Sequence, residues 1–447
     1  MNWILEKIKE YTTNTAIIYD DVYYSYSDLF VKIAEFELII KQELKAGEVV
    51  VLQSEYSFES IALFFALYSN KNIIVPITTN NSEEINEKLA VSYFDVVVKL
   101  SNGKLVINQN PLICEKHELI KKVQQKNHAG LLLFSSGSTG TPKTMIHDLD
   151  VLIDSFKDRK SKVYNFLVFL MFDHIGGLNT LFNCISMGAI MTIPLNRDPS
   201  YIVSLIEKYK INILPSTPTF LNLISFSDSF KGKELGSLKL VTYGTEPMPE
   251  SLLERLRIIF PKAKFLQTFG TSETGIAKIT SKSSSSTLMK IEDPDLEYKI
   301  VNNELWLKSK TQILGYLNAS MEKFTEDGWF ITGDLVETTE DGYLRIIGRN
   351  SEMINVGGQK VMPQEVEATI LQLADVLDCI VYGESNAITG QVVVVDIAIA
   401  NGCDKNTIKQ QIRRHCKDKL DSYKNPIKYN FIESTEYSSR FKKIRKK

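Results

Sequence analysis

A chain of 447 residues with 44% hydrophobic and 24% charged residues has the balance of an ordinary globular protein and is too long for one core, so two or three domains are expected. Its formal charge of −2 provides no global attraction for nucleic acid. No apolar run nears the roughly 18 residues that a membrane-spanning helix needs, and Glu6, Lys7, Lys9 and Glu10 interrupt any signal-peptide core, so a cytoplasmic protein with no membrane span is expected.

Strand-like runs alternate with helical patterns along most of the chain. Strands are predicted over 49–52, 73–77, 96–98, 131–134, 166–171, 189–193, 211–214 and 240–243, and helices over 27–44, 199–209 and 249–259. The alternation predicts α/β layers with largely parallel strands. After Gly348 the character changes: helices over 363–373 and 406–420 and strands over 376–382 and 391–400 predict a small separate unit. The domains are therefore placed at 1–348 and 349–447. Cys114, Cys184, Cys379, Cys403 and Cys416 are scattered without a C-x-x-C pair, which predicts buried reduced thiols rather than a zinc site or disulfide framework.

Directly behind the apolar run 131–134 stand Ser135, Ser136, Gly137, Ser138, Thr139, Gly140, Thr141, Pro142 and Lys143. Glycines let backbone N–H groups approach a phosphate closely, hydroxyls add donors, and the lysine adds a mobile positive charge. A nucleotide phosphate is the expected guest. A Walker-type loop needs glycine before its lysine, and Pro142 stands there with a fixed φ and no N–H. That class is excluded.

Five further segments carry chemistry-bearing residues. Phe172-Asp173-His174-Ile175-Gly176-Gly177-Leu178 sets a histidine before two glycines. Tyr243-Gly244-Thr245-Glu246 opens a Gly/Pro turn behind a strand. Phe269-Gly270-Thr271-Ser272-Glu273 offers a carboxylate suited to Mg²⁺, a hard cation that takes oxygen ligands. Asp334 sits on a Gly-Asp turn where a carboxylate can accept sugar hydroxyls, and Arg349 follows within 343–358. Taken singly, each has a plainer reading: a core histidine, a capping acid, a tight turn. The tail ends in Arg440, Lys442, Lys443, Arg445, Lys446 and Lys447, for which a solvated charge run is the plain reading.

Together and in this order, these segments resemble the adenylate-forming (AMP-binding) superfamily: acyl- and aryl-CoA synthetases, peptide-synthetase adenylation domains and firefly luciferase. The resemblance implies a large N-terminal part of layered α/β subdomains with a small barrel-like β region around 304–329, and a mobile α+β C-terminal lid. It implies that ATP's β,γ-phosphates lie under the loop Ser135 to Lys143. Gly244, Thr245 and Glu246 would line the adenine with Phe269, Gly270 and Thr271, and Ser272 and Glu273 match a Thr-Glu pair at Mg²⁺. Asp334 and Arg349 would hold the ribose, and Lys443 matches the late catalytic lysine. His174, Gly176, Tyr243 and Thr245 would border the acid, with Ile175, Leu178, Phe220 and Ile276 as further walls.

The implied activity is ATP-dependent conversion of a carboxylic acid to an acyl-adenylate, then transfer to CoA or another pantetheine thiol. The two-glycine tail after His174 and the loop 357–363 look more like CoA ligases than like amino-acid adenylation domains, although Asp173 stands near the place where the latter carry an amino-binding Asp. Thr245 replaces a usual Gly or Ala, which predicts a small or medium acyl or aryl acid. Lys442 stands where glycine usually precedes the catalytic lysine, leaving Lys442 and Lys443 as rivals for that role. Ser351 replaces a hinge Asp or Lys, and Thr144 replaces a Gly. The alternatives are adenylation for a carrier protein or an amine, and a catalytically decayed nucleotide-binding relative whose basic tail touches nucleic acid or anionic lipid.

Overall fold

The strand Val49–Gln53 shows how the layers arise. In the computed structural model, which describes residues 2–101, 104–112, 115–135 and 142–445, its alternate side chains enter different cores: Val50 and Leu52 one, Val49 and Val51 the other. Gly130–Ser135 divides in the same way, with Leu131 and Leu133 on one side and Leu132 and Phe134 on the other. Successive side chains on a strand point to opposite faces, so a strand apolar on both must be covered on both.

Two seven-stranded sheets result. In one, Val49–Gln53 lies parallel between Ile73–Ile77 and Val96–Ser101. In the other, Thr15–Tyr19, Ile190–Ile193, Asn165–Leu167, Ile213–Ser216, Leu240–Tyr243 and Lys264–Gln267 run parallel, and Val22–Ser25 closes the edge antiparallel. The helices Tyr26–Glu43, Phe58–Ser69 and Ile175–Met187 fill the space between the sheets. Phe58–Ser69 is buried nearly all round, as a helix without a polar face must be. Pro199–Lys208, Pro218–Phe226 and Glu250–Ile259 cover the outer face of one sheet, and Ser82–Ala90 and Glu118–Gln125 that of the other.

The expected β region is wider than 304–329. It is a six-stranded antiparallel sheet whose strands fall between Ile279 and Arg349, with its own core. Gly315–Tyr316 leaves that sheet and pairs with Met145 and Ile146 on the large one, carrying Tyr316 to the strand that follows the phosphate loop. The predicted strand over 166–171 stops at Leu167. The chain must then turn to start the helix Ile175–Met187, and the turn is tight: a Cβ on Gly177 would lie 2.0 Å from the Met171 carbonyl oxygen. Apolar character continues past the strand because residues 168–172 still line interior space.

A smaller C-terminal domain follows the large one, a five-stranded sheet packed with the helices Pro363–Ile370 and Lys405–Lys419 around its own core. Pro363 opens the first helix, where its missing N–H has no helical partner to lose, and Asp404 caps the second. Cys184, Cys379 and Cys416 are buried and Cys403 is partly exposed, all with free thiols. Cys114 lies outside the described residues. Among the described residues no helix is long and apolar enough to cross a membrane.

Candidate active site

The strands Gly130–Ser135 and Lys143–Asp148 form an antiparallel pair that sets Ser135 opposite Lys143 at the base of the phosphate loop. Ser136, Gly137, Ser138, Thr139, Gly140 and Thr141 lie outside the described residues. Asn318 ties the base from below: its amide donates to the Pro142 carbonyl at 2.8 Å, and its oxygen accepts from the Thr144 N–H at 2.8 Å. The Lys143 ammonium sits 5.9 Å over the ring of Tyr316, whose hydroxyl donates to Glu273 Oε1 at 2.8 Å. Burial and the neighbouring Glu273 carboxylate push the Tyr316 hydroxyl pKa upward, so it remains a donor. The loop base and the metal-binding candidate are thus joined through one tyrosine.

Glu273 and Ser272 lie at the tip of the hairpin between Phe269–Thr271 and Gly275–Ala277, pinned by a 3.0 Å bond from the Thr274 N–H to Thr271 Oγ1. Gly270 has no room for a side chain, because a Cβ would meet the Gly275 carbonyl at 2.4 Å. Gly244 is equally constrained by Thr268, whose N–H bonds the Tyr243 carbonyl at 2.7 Å. Thr245 adopts φ +74°, a left-handed conformation that is strained for a β-branched residue and marks sites whose surroundings hold them. Tyr243 itself is almost fully buried.

Asp334 and Arg349 face each other across paired strands, with Arg349 Nε 3.1 Å from Asp334 Oδ1. Burial raises the Asp334 pKa and Arg349 opposes the rise. Lys442 lies within electrostatic reach of Arg349, Glu246 and Asp334, and burial together with Arg349 lowers its pKa. Lys442 also lines a cavity with His174, Thr245, Arg197 and Phe169.

His174 caps the helix Ile175–Met187, its Nδ1 accepting from the Gly176 N–H at 3.1 Å. Burial, with Arg440 and Lys442 adding to it, depresses its pKa well below the usual range. The ring is therefore neutral with its proton on Nε2. Asp173 is committed elsewhere: Lys88 Nζ stands 3.3 Å and Arg440 Nη2 3.5 Å from its Oδ2.

As far as Arg445 the tail is folded into the body rather than solvated. Lys443 turns away from the cavity, its ammonium bound to Asp378 at 2.6 Å and to the Cys379 carbonyl at 2.9 Å. Burial opposes its charge, but Asp378 and Glu367 hold its pKa above the ordinary range. Arg445 pairs with Glu367 inside the same domain. The Lys443 N–H donates to Glu246 Oε1 at 2.7 Å, and Thr219 donates to Glu246 Oε2 at 2.6 Å. Glu246 thus anchors the tail. Phe441, just before Lys442, has φ +52°, the left-handed region that favours glycine. The resemblance expects a glycine before the catalytic lysine, and Phe441 has a backbone conformation that such a glycine would take readily.

The AMP-binding enzyme model matches residues 5–317, and the model for the AMP-binding enzyme C-terminal domain matches residues 365–442. The chain belongs to the AMP-binding enzyme family. It is 28% identical over 364 residues to the 4-coumarate:CoA ligase 1 of Petunia hybrida, covering 74% of this chain and 66% of that one. It is 24% identical over 490 aligned positions to the 2-succinylbenzoate–CoA ligase of Bacillus licheniformis, covering 100% of this chain and 98% of that one. The fold matches the anthranilate CoA ligase AuaEII in complex with anthranoyl-AMP at a TM-score of 0.82 and 18% identity, covering 98% and 95% of the two chains. In this AMP-binding enzyme, motif reading did not single out Phe441 and Arg197, which line the cavity, or Tyr316, which reaches Glu273.

Proposed function

We propose that this enzyme joins a carboxylic acid to AMP with release of pyrophosphate, then transfers the acyl group to a pantetheine thiol, CoA first among them. The observation that carries the reading is convergence. Residues from distant segments, His174, Thr245 and Lys442, line one cavity, and Lys442 is within electrostatic reach of the Asp334–Arg349 pair.

The carboxylate oxygen attacks the α-phosphorus of ATP; the new C(O)O–P bond forms as the bond to the β-phosphate bridging oxygen breaks, and pyrophosphate leaves with that electron pair. Neutral His174 presents an N–H that orients the acid without neutralising it, so the nucleophile is held but not quenched. Lys442 brings a poorly hydrated ammonium to the oxygens on which charge builds, where low dielectric makes it most effective. Asp334 and Arg349 hold the ribose hydroxyls. Gly244, Thr245, Phe269, Gly270 and Thr271 form the adenine wall, where the glycines keep the surface flat. Lys143 and Ser135, with the loop between them, hold the terminal phosphates.

Mg²⁺ fits Glu273, an oxygen ligand steadied by the Tyr316 hydroxyl; when bound there it neutralises phosphate charge. In the second step a thiolate attacks the acyl carbon, the acyl–oxygen bond breaks, and AMP leaves. Thr245 and the narrow cavity favour a small or medium acyl or aryl acid. The same reading puts the enzyme in the cytoplasm and the domain boundary at 348/349, on the strand that carries Arg349. A carrier-protein pantetheine is the second acceptor to test.

A pyrophosphate-release screen across acid classes with Mg·ATP tests the reading. One cognate acid is expected to raise release well above the acid-free rate, and adding CoA to yield its thioester. Release that no acid stimulates would overturn it; a thioester formed on a carrier protein but not on CoA would change the acceptor.

A further inference from the structure

An aromatic residue in left-handed backbone is held against its own preference, so the contacts of its side chain must offset the strain. Phe441 is such a residue, with φ +52°. Its ring packs 4.9 Å from the ring of Phe220 and 5.4 Å from that of Phe169, centroid to centroid, and Tyr437 stacks on it at 5.4 Å. Its carbonyl accepts from Thr217 Oγ1 at 3.0 Å. Phe169 and Phe220 belong to the large domain and Phe441 to the tail, so the small cluster is assembled from both. The same ring lines the cavity that His174, Thr245 and Lys442 share.

We infer that Phe441 is a specificity-determining wall of the acid pocket, supplied by the C-terminal tail and setting the upper size of the acid. The inference rests on the acid-activating reading above. Glycine at this position relaxes the backbone and would leave the space beside Phe169 and Phe220 to the substrate. The phenyl ring instead fills that space, one residue before the lysine that meets the reacting phosphate. A pocket walled in this way discriminates by volume: an acid with extra bulk must displace the ring, which pulls Phe441 and its neighbour Lys442 out of place together. An acid that fits leaves both seated. Apolar pockets commonly discriminate by one to two orders of magnitude per misfit group, which is the scale expected here.

The test compares the full-length protein with Phe441→Gly and Phe441→Trp on a graded series of straight-chain and para-substituted benzoic acids. Pyrophosphate release gives kcat and KM for each acid. Calorimetry with the same acids and a non-hydrolysable ATP analogue gives binding without turnover. Phe441→Gly is expected to improve kcat/KM for acids larger than the native optimum at least tenfold relative to that optimum, mainly through KM, and Phe441→Trp to move the optimum to smaller acids. A merely structural ring predicts something else: a looser tail lowers kcat for every acid by the same factor and leaves the ratios unmoved. That result overturns the proposal. If the native protein releases no pyrophosphate with any acid, the ligase reading falls and the binding series decides. A size optimum that shifts between variants upholds the wall; a profile that stays fixed, or no acid binding at all, removes it.

Discussion

Lys442 and Lys443 are adjacent, identical in chemistry and opposite in surroundings. One lines the cavity beside Arg349 and Asp334; the other is spent on Asp378 inside the C-terminal domain. On the proposed mechanism Lys442 is the donor that meets developing charge, so Lys442→Ala is expected to lower kcat for pyrophosphate release by about 10²–10³-fold. Truncating Lys443 leaves Asp378 without its buried cation, so Lys443→Ala is expected to cost roughly 3 kcal/mol of C-terminal domain stability in urea unfolding while folded enzyme keeps most of its rate. The reverse pattern would return the catalytic role to Lys443. Sequence reading left the two as rivals because no glycine stands before either lysine; the left-handed backbone of Phe441 is what favours Lys442 in the proposal. Asp334, Arg349, His174 and Glu273 were legible as candidates because each stands near glycines in a short segment of unusual composition. Tyr316 was not, since an isolated tyrosine carries no pattern until the fold sets it beside Glu273.

The strand Lys143–Asp148 carries a cost within its own length. His147 is 1% exposed, and burial depresses its pKa from 6.5 to about 4. Its folded state therefore binds a proton less readily than its unfolded state. Stability is complete above pH 6.5 and falls as the pH drops toward 4, because the unfolded chain takes up a proton that the folded chain refuses; the loss amounts to about 3 kcal/mol. Replacing His147 with Leu should shrink the fall in urea-unfolding stability between pH 6.5 and 4 by about that amount. An unchanged fall would show that the acid sensitivity lies elsewhere. The layered strands were readable from apolar runs because burial on both faces leaves no polar positions. The same rule misled at 166–171, where residues that line an interior turn are as apolar as a strand.

At the scale of the molecule, the C-terminal tail supplies one wall of the cavity that His174 and Thr245 line. Glu246 holds the Lys443 N–H, Thr217 holds the Phe441 carbonyl, and the Asn222 amide reaches the Leu377 carbonyl at 3.3 Å. These bonds seat the small domain over the sheet ends that carry Thr245 and His174. The tail's charge run therefore reads differently once folded: Arg440, Lys443 and Arg445 are matched by Asp173, Asp378 and Glu367. The layered fold and the two-domain plan were legible from alternation and from the change of character near residue 348. The docking of tail on body was not, because pairing between residues some 200 positions apart leaves no local pattern in the chain.

The central claim is that the acid's oxygen attacks the α-phosphorus. Supplying the cognate acid with ¹⁸O in its carboxylate, together with Mg·ATP and the thiol acceptor, tests it directly by mass spectrometry of the released nucleotide. The account predicts AMP carrying one ¹⁸O atom and unlabelled pyrophosphate. Formation of ADP with the label in orthophosphate would place the attack on the γ-phosphorus and contradict it.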